Sequence, residues 1–193
     1  MRLILSSSDF GNPKSKDVIL KNLDKPISES KVLFFPNEKA TTESIRSEKY
    51  YHWMVGRGFS RENVYIFDHE MPEKFFDLDI DCIHVSGGNT FETLQRLRTC
   101  GADKAIVDYV KNRGVVYIGG SAGAHIVTQN IRHVLSFDEN ICGMTDFDGL
   151  KLFDGILFCH YTEERKAYYE KACIESSFPV YALTDEDSIV VDT

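Results

Sequence analysis

The chain has 193 residues, enough to bury a full core as one domain spanning 1–193, and its 42% hydrophobic content is ordinary for a globular protein. With 30 acidic and 22 basic residues the net charge is -8 and no Lys/Arg block interrupts it, which excludes nucleic acid and anionic membrane as natural partners while leaving room for a local basic pocket. The five cysteines, Cys82, Cys100, Cys142, Cys159 and Cys173, lack C-x-x-C spacing; the apolar run at 3–5 is too short for a signal peptide and no segment reaches membrane-spanning length, so a cytoplasmic domain with reduced thiols is expected.

A strand is expected over 2–6, then a turn-rich stretch and a short amphipathic helix carrying Val18, Ile19 and Leu23. The continuous apolar run at 31–35 suits a strand covered on both faces, ended by Pro36. One helix opens at Thr42, carries Ile45, Trp53 and Met54, and stops near Gly56 and Gly58. Strands follow at 64–67 and 80–85, separated by an acidic stretch with Phe75, Phe76 and Leu78. Helices are expected over 90–98, with Asn89 as cap and Glu92 three residues on, and over 103–112. The strand at 115–118 runs into Gly119-Gly120-Ser121-Ala122-Gly123. Beyond it, apolar pieces at 134–137 and 156–159 read as short strands, 162–174 as a helix, and 180–183 with 189–191 as a terminal strand pair joined through 184–188. The chain stops directly after Thr193, which leaves open a further strand beyond it. Strand and helix alternating over this length argue for an α/β fold with a mainly parallel sheet between helices.

The pattern G-x-S-x-G at 119–123, between a buried strand and a helix, is the geometry of a nucleophile elbow: small neighbours tolerate a crowded turn that projects Ser121 at the sheet edge. The bland alternative is a Gly-rich connection whose serine caps the helix. A serine needs a base and an orienting acid. Of six histidines, His52 sits on an amphipathic helix, His69 in the acidic stretch, His84 inside a strand, His125 on the elbow helix pointing away from the edge, and His133 at a strand start. His160 directly follows an apolar strand and is the best base. Asp138 and Glu139 are candidate acids, with a solvated turn as the alternative. The Ala122 N–H is the first oxyanion donor, and Gly87-Gly88 at a strand's carboxyl end offers the second through Gly88.

The series V-S-G-G-N-T-F, Y-I-G-G-S-A-G-A, N-I-R and C-H-Y resembles peptidase family S51, which includes dipeptidase E and cyanophycinase, over most of the chain. The resemblance implies a class I glutamine amidotransferase-like, flavodoxin-related three-layer fold and a Ser-His-Asp/Glu triad. It carries the nucleophile to Ser121, the base to His160, and the oxyanion and substrate-binding loop to Gly87, Gly88, Asn89 and Thr90. Dipeptidase E has an aspartate soon after its N-I-R-like segment; an ungapped match falls on Ser136, and a two-residue shift makes Asp138 the acid, with Glu139 as substitute. The implied activity is hydrolysis of small peptides without metal or cofactor, in a monomer or homodimer. An aspartyl preference would need cations, for which Arg132 and Arg165 are available. A family member that binds a peptide or metabolite without cleaving it is the alternative from another class. An α/β-hydrolase esterase shares the elbow, but His160 lies only 39 residues after Ser121 and G-G-N-T-F has no place in it. A glutaminase on this fold uses cysteine at the elbow.

Overall fold

In the computed structural model, which describes residues 1–193, the apolar runs assemble into one six-stranded sheet. Its strands are β1 (Arg2–Ser6), β2 (Val32–Phe35), β3 (Val64–Ile66), β4 (Cys82–Val85), β5 (Val116–Gly120) and β8 (Ser188–Asp192), in the spatial order β3-β2-β4-β5-β1-β8. The first five pair in parallel, and β8 alone runs antiparallel, beside β1. Continuous apolar strands are what a parallel sheet covered on both faces requires, because alternate side chains enter opposite cores. Leu3, Leu5, Leu33, Phe35, Ile83, Val85 and Tyr117 face one core; Ile4, Val32, Phe34, Cys82, Val116 and Ile118 face the other.

The first core is covered by α4 (Thr90–Thr99) and α5 (Ala102–Asn112), through Phe91, Leu94, Leu97, Ile106, Tyr109 and Val110. The second is covered by α1 (Pro13–Asn22) through Ile19 and by α3 (Lys49–Val55) through Met54. The single helix expected from Thr42 onward is divided into α2 (Thr42–Ile45) and α3; Arg46, Ser47 and Glu48 break it, with the Arg46 guanidinium drawn to Asp68 and Glu70. No helix is long and apolar enough to cross a membrane.

Two expectations past the elbow fail. The apolar piece at 134–137 is no strand: Arg132–Ser136 is a 3-10 turn whose Val134 is buried in the core. The last two strands do not pair with each other. Instead β6 (Ile156–Phe158) and β7 (Val180–Ala182) form a separate parallel pair, connected by α7 (Lys166–Glu175), while β8 returns to the main sheet. A parallel pair needs such a crossover, so the helix between the two strands was the available signal.

The elbow is tightly packed on both sides. A Cβ on Gly119 would lie 2.5 Å from the Gly123 carbonyl oxygen, and one on Gly123 would drive into the carbonyl oxygen of Val85 in β4. Tyr117 Oη donates to Gly123 O at 2.7 Å from within the core. Gly123→Ala is therefore expected to destabilise the protein by about 1–3 kcal/mol, seen as a lower urea midpoint at unchanged m-value.

Candidate active site

Ser121 follows the last residue of β5 and precedes α6 (Ala122–His125), a single turn of helix. It has φ 51° and ψ -111°, a conformation that an L-residue adopts only when its surroundings impose it. Here the Ser121 N–H donates to Ser6 O of β1 at 2.9 Å, and its carbonyl accepts from the N–H groups of Ala124 and His125. The side chain makes no cap bond to α6, so the helix-cap reading of this serine does not hold.

His160 stands two residues past β6, at φ 57°. Its Nε2 lies 2.8 Å from Ser121 Oγ, and its Nδ1 lies 2.5 Å from Asp185 Oδ1. A carboxylate only accepts, so Nδ1 carries the ring proton and Nε2 faces the serine hydroxyl as an acceptor. The acid expected at Asp138 is thus not the partner of His160. Asp138 Oδ2 accepts from Thr90 N at 2.9 Å, where a negative charge favours the start of α4, and Glu139 offers only its carbonyl, to Asn89 Nδ2 at 2.8 Å.

Sequence reasoning missed Asp185 because it lies in what looked like a hairpin loop. In the parallel pair Phe158 stands opposite Ala182, so the chain segments leaving β6 and β7 emerge at one edge and bring His160 and Asp185 together. Ser7, at the end of β1, ties both segments to the sheet: its Oγ accepts from His160 N and donates to Leu183 O, each at 3.0 Å. Asp187 Oδ2 shapes the acid's loop by accepting from Thr184 N and Oγ1.

The glycine pair sits where the sequence placed it. A Cβ on Gly87 would lie 3.3 Å from Ser121 Cβ and 3.9 Å from its Oγ; Gly88 has φ 153°. The backbone N–H groups of Gly88 and Ala122 donate to no protein acceptor. Asn89 and Thr90 are spent on building α4. Asn89 Oδ1 caps Glu92 N, Asn89 N donates to Glu38 Oε2, and Thr90 Oγ1 meets His125 Nδ1 at 3.2 Å. His125 does point away from the edge, and its Nε2 accepts from Cys159 N at 3.4 Å, linking the glycine loop to the strand that carries His160. Burial, with the charges of His133, His160 and Arg165, holds His125 well below the usual histidine range. Burial also pushes the Cys159 thiol up to about 12, so this neighbour of His160 stays protonated.

Of the two candidate arginines, Arg165 donates to the carbonyl oxygens of Cys159 and His160 and stacks on Phe137, while Arg132 lies over the Phe147 ring. The former supports the histidine's strand end. The latter borders a cavity of about 200 Å³ with His133 and Phe178.

The peptidase family S51 model matches residues 2–193. The chain belongs to peptidase family S51. An uncharacterised peptidase of Listeria monocytogenes, Lmo0363, is 34% identical over 116 residues, 58% of this chain and 56% of that protein. Peptidase E of Escherichia coli is 40% identical over 82 residues, 42% of this chain and 34% of the relative. These alignments span about half or less of the curated relatives' length. A Listeria monocytogenes crystal structure provisionally described as a peptidase E superposes with TM-score 0.75 at 27% identity, covering 98% of this chain and 93% of its own. A peptidase from an acI-B1 Actinobacterium shares the fold, with TM-score 0.69 at 15% identity. The mostly parallel three-layer architecture of this S51 member is therefore that of a peptidase E-like structure.

His133, packed beside His125, gives a pH signature. Its Nε2 lies 2.8 Å from Leu157 O, its Nδ1 has no partner, and burial pushes its pKa down to about 4. Its stabilising contribution is complete above the unfolded value near 6.5 and is lost as pH falls toward 4, roughly 3 kcal/mol in all. Urea titrations between pH 7 and pH 4 should show stability falling with pH, and His133→Phe should make that fall shallower while the share of buried His125, held neutral in the same way, remains.

Proposed function

We propose that this chain is a serine peptidase that hydrolyses small peptides through Ser121, His160 and Asp185. The observation that carries the reading is the continuous relay from Ser121 Oγ to His160 Nε2 at 2.8 Å and from His160 Nδ1 to the Asp185 carboxylate, mounted on a positive-φ elbow. In this mechanism Ser121 Oγ attacks the scissile carbonyl carbon while His160 Nε2 takes the hydroxyl proton. Asp185 holds the ring in the required tautomer and stabilises the imidazolium. The Gly88 and Ala122 N–H groups, which have no protein acceptor, receive the oxyanion. Collapse of the tetrahedral intermediate breaks the C–N bond, and His160 passes its proton to the departing amine. Water, deprotonated by His160, then attacks the acyl carbon; collapse of this second tetrahedral intermediate breaks the C–Oγ bond, His160 gives the proton back to Ser121 Oγ, and the carboxylate product leaves.

The class I glutamine amidotransferase-like reading of the sheet belongs with this proposal, since a nucleophile directly after a central parallel strand is what that arrangement supplies. An aspartyl preference finds less support, because Arg165 is engaged with the backbone and Arg132 lies against Phe147.

Substitution separates the two candidate acids. Ser121→Ala is expected to abolish dipeptide turnover and fluorophosphonate labelling, and Asp185→Asn to lower kcat by roughly 10²–10⁴-fold. Asp138→Asn keeps an acceptor for Thr90 N and should leave kcat within about tenfold, with a stability cost of about 1 kcal/mol. Steady-state kinetics on peptides drawn from a dipeptide library check all three.

A further inference from the structure

Beside the elbow lies a cleft of about 420 Å³ that the relay does not use. It is lined by Asp9 and Gly87, by the aromatic rings of Phe34, Tyr50 and Trp53, and by Lys39 and Lys49. Gly87 also abuts Ser121, and a Cβ on Gly120, the residue before the nucleophile, would collide with Asp9 Oδ2. The Asp9 carboxylate therefore packs against the residue before Ser121 and, although mostly buried, lines the same cleft.

Asp9 is held there at some cost. It has φ 37°, and only four non-glycine residues in the chain have positive φ; three of them, Asp9, Ser121 and His160, gather at this edge. Strained backbone concentrated at one place marks residues whose position matters. The Asp9 N–H is anchored on Ser6 Oγ at 2.9 Å, and its Oδ2 lies 3.2 Å from Nε2 of the fully buried His84. Burial pushes the Asp9 carboxyl up, but the hydrogen bond and charge of His84 and the charge of Arg57 outweigh it and hold the group below its usual value, so it is ionised. Arg57 itself is stacked on the Trp53 ring and forms no ion pair with Asp9.

We propose that Asp9 is the counter-ion for the free α-ammonium of the substrate's N-terminal residue, so that the cleft admits peptides by their charged amino end. The inference rests on the serine peptidase reading. The α-nitrogen is two bonds from the scissile carbonyl carbon, so a carboxylate that recognises it must stand within a residue of the nucleophile, as Asp9 does through Gly120. A lysine or arginine side chain would carry its charge several bonds farther away. The aromatic rings suit a cation, and Lys39 and Lys49 offer partners for the carboxylate of a short zwitterionic peptide.

The test uses alanine p-nitrophenyl ester and its Nα-acetyl counterpart, with fluorophosphonate labelling of Ser121 measured alongside. Loss of labelling in the wild type would defeat the serine peptidase reading itself and leaves a separate signature. With labelling intact, the wild type should prefer the free amine by about 100-fold or more in kcat/KM. Asp9→Asn, which keeps an acceptor for His84 Nε2, should lose most of that preference, with acetyl-ester turnover and labelling nearly unchanged. Asp9→Glu should retain part of it. An equal fall on both esters would make Asp9 a structural residue of the elbow and overturn the proposal. An absence of preference in the wild type would overturn it without any variant, so the test survives a substitution that fails to fold.

Discussion

Gly119 and Gly123 bring β5 and α6 so close that the residue between them is held at positive φ, and from this crowding the rest of the site takes its position. The contact of Gly123 with Val85 presses the elbow against β4, whose end delivers Gly87 and Gly88 beside the serine. On the other side, the Ser121 N–H is bonded to β1, whose continuation supplies Ser7 and Asp9. Three neighbouring parallel strands thus end at one serine. Their carboxyl ends are also where a doubly wound sheet leaves a crevice, because the helices that follow diverge to opposite faces.

The imidazole facing Ser121 and the carboxylate behind it, His160 and Asp185, come from outside that sheet. They leave a small parallel pair, β6 and β7, which is stitched to β1 by Ser7 and to the glycine loop by His125. The three histidines here divide by environment. His125 and His133 are buried and held neutral, the first completing a hydrogen-bonded link and the second packing among Phe137 and Phe158. His160 remains partly open to solvent, facing the serine on one side and an exposed carboxylate on the other. The general-base role proposed for His160 needs that access, whereas a structural link is better kept in one protonation state.

Charge is distributed with the same economy. The protein is acidic overall, yet the cleft beside the elbow is lined by two lysines and one ionised aspartate. Asp9, like Asp185, is a carboxylate close to the nucleophile, but the two lie in different surroundings. Asp185 is directed at the imidazole, while Asp9 lines the cleft and meets buried His84. Asp138, the nearest of the three to Ser121 in sequence, is taken up by the first turn of α4.

Local pattern was enough for the strand-helix alternation, the elbow, the glycine pair and the histidine at a strand end. Each of these depends on neighbouring residues: apolar runs set strands, glycines permit crowded turns, and a residue just past a buried strand emerges at its edge. The split of α2 from α3, the 3-10 turn at Arg132–Ser136 and the placement of Asp185 and Asp9 beside the elbow were decided by tertiary structure. Asp185 reaches His160 only because β7 pairs in parallel with β6 instead of forming a hairpin with β8, a choice between distant partners that local sequence leaves undetermined. Asp9 becomes part of the same edge only when β1 is laid beside β5, residues more than a hundred positions apart that a sheet register brings into contact. The sequence by itself determined which residues have the chemistry; long-range strand pairing decided which of the acids stands where that chemistry needs one.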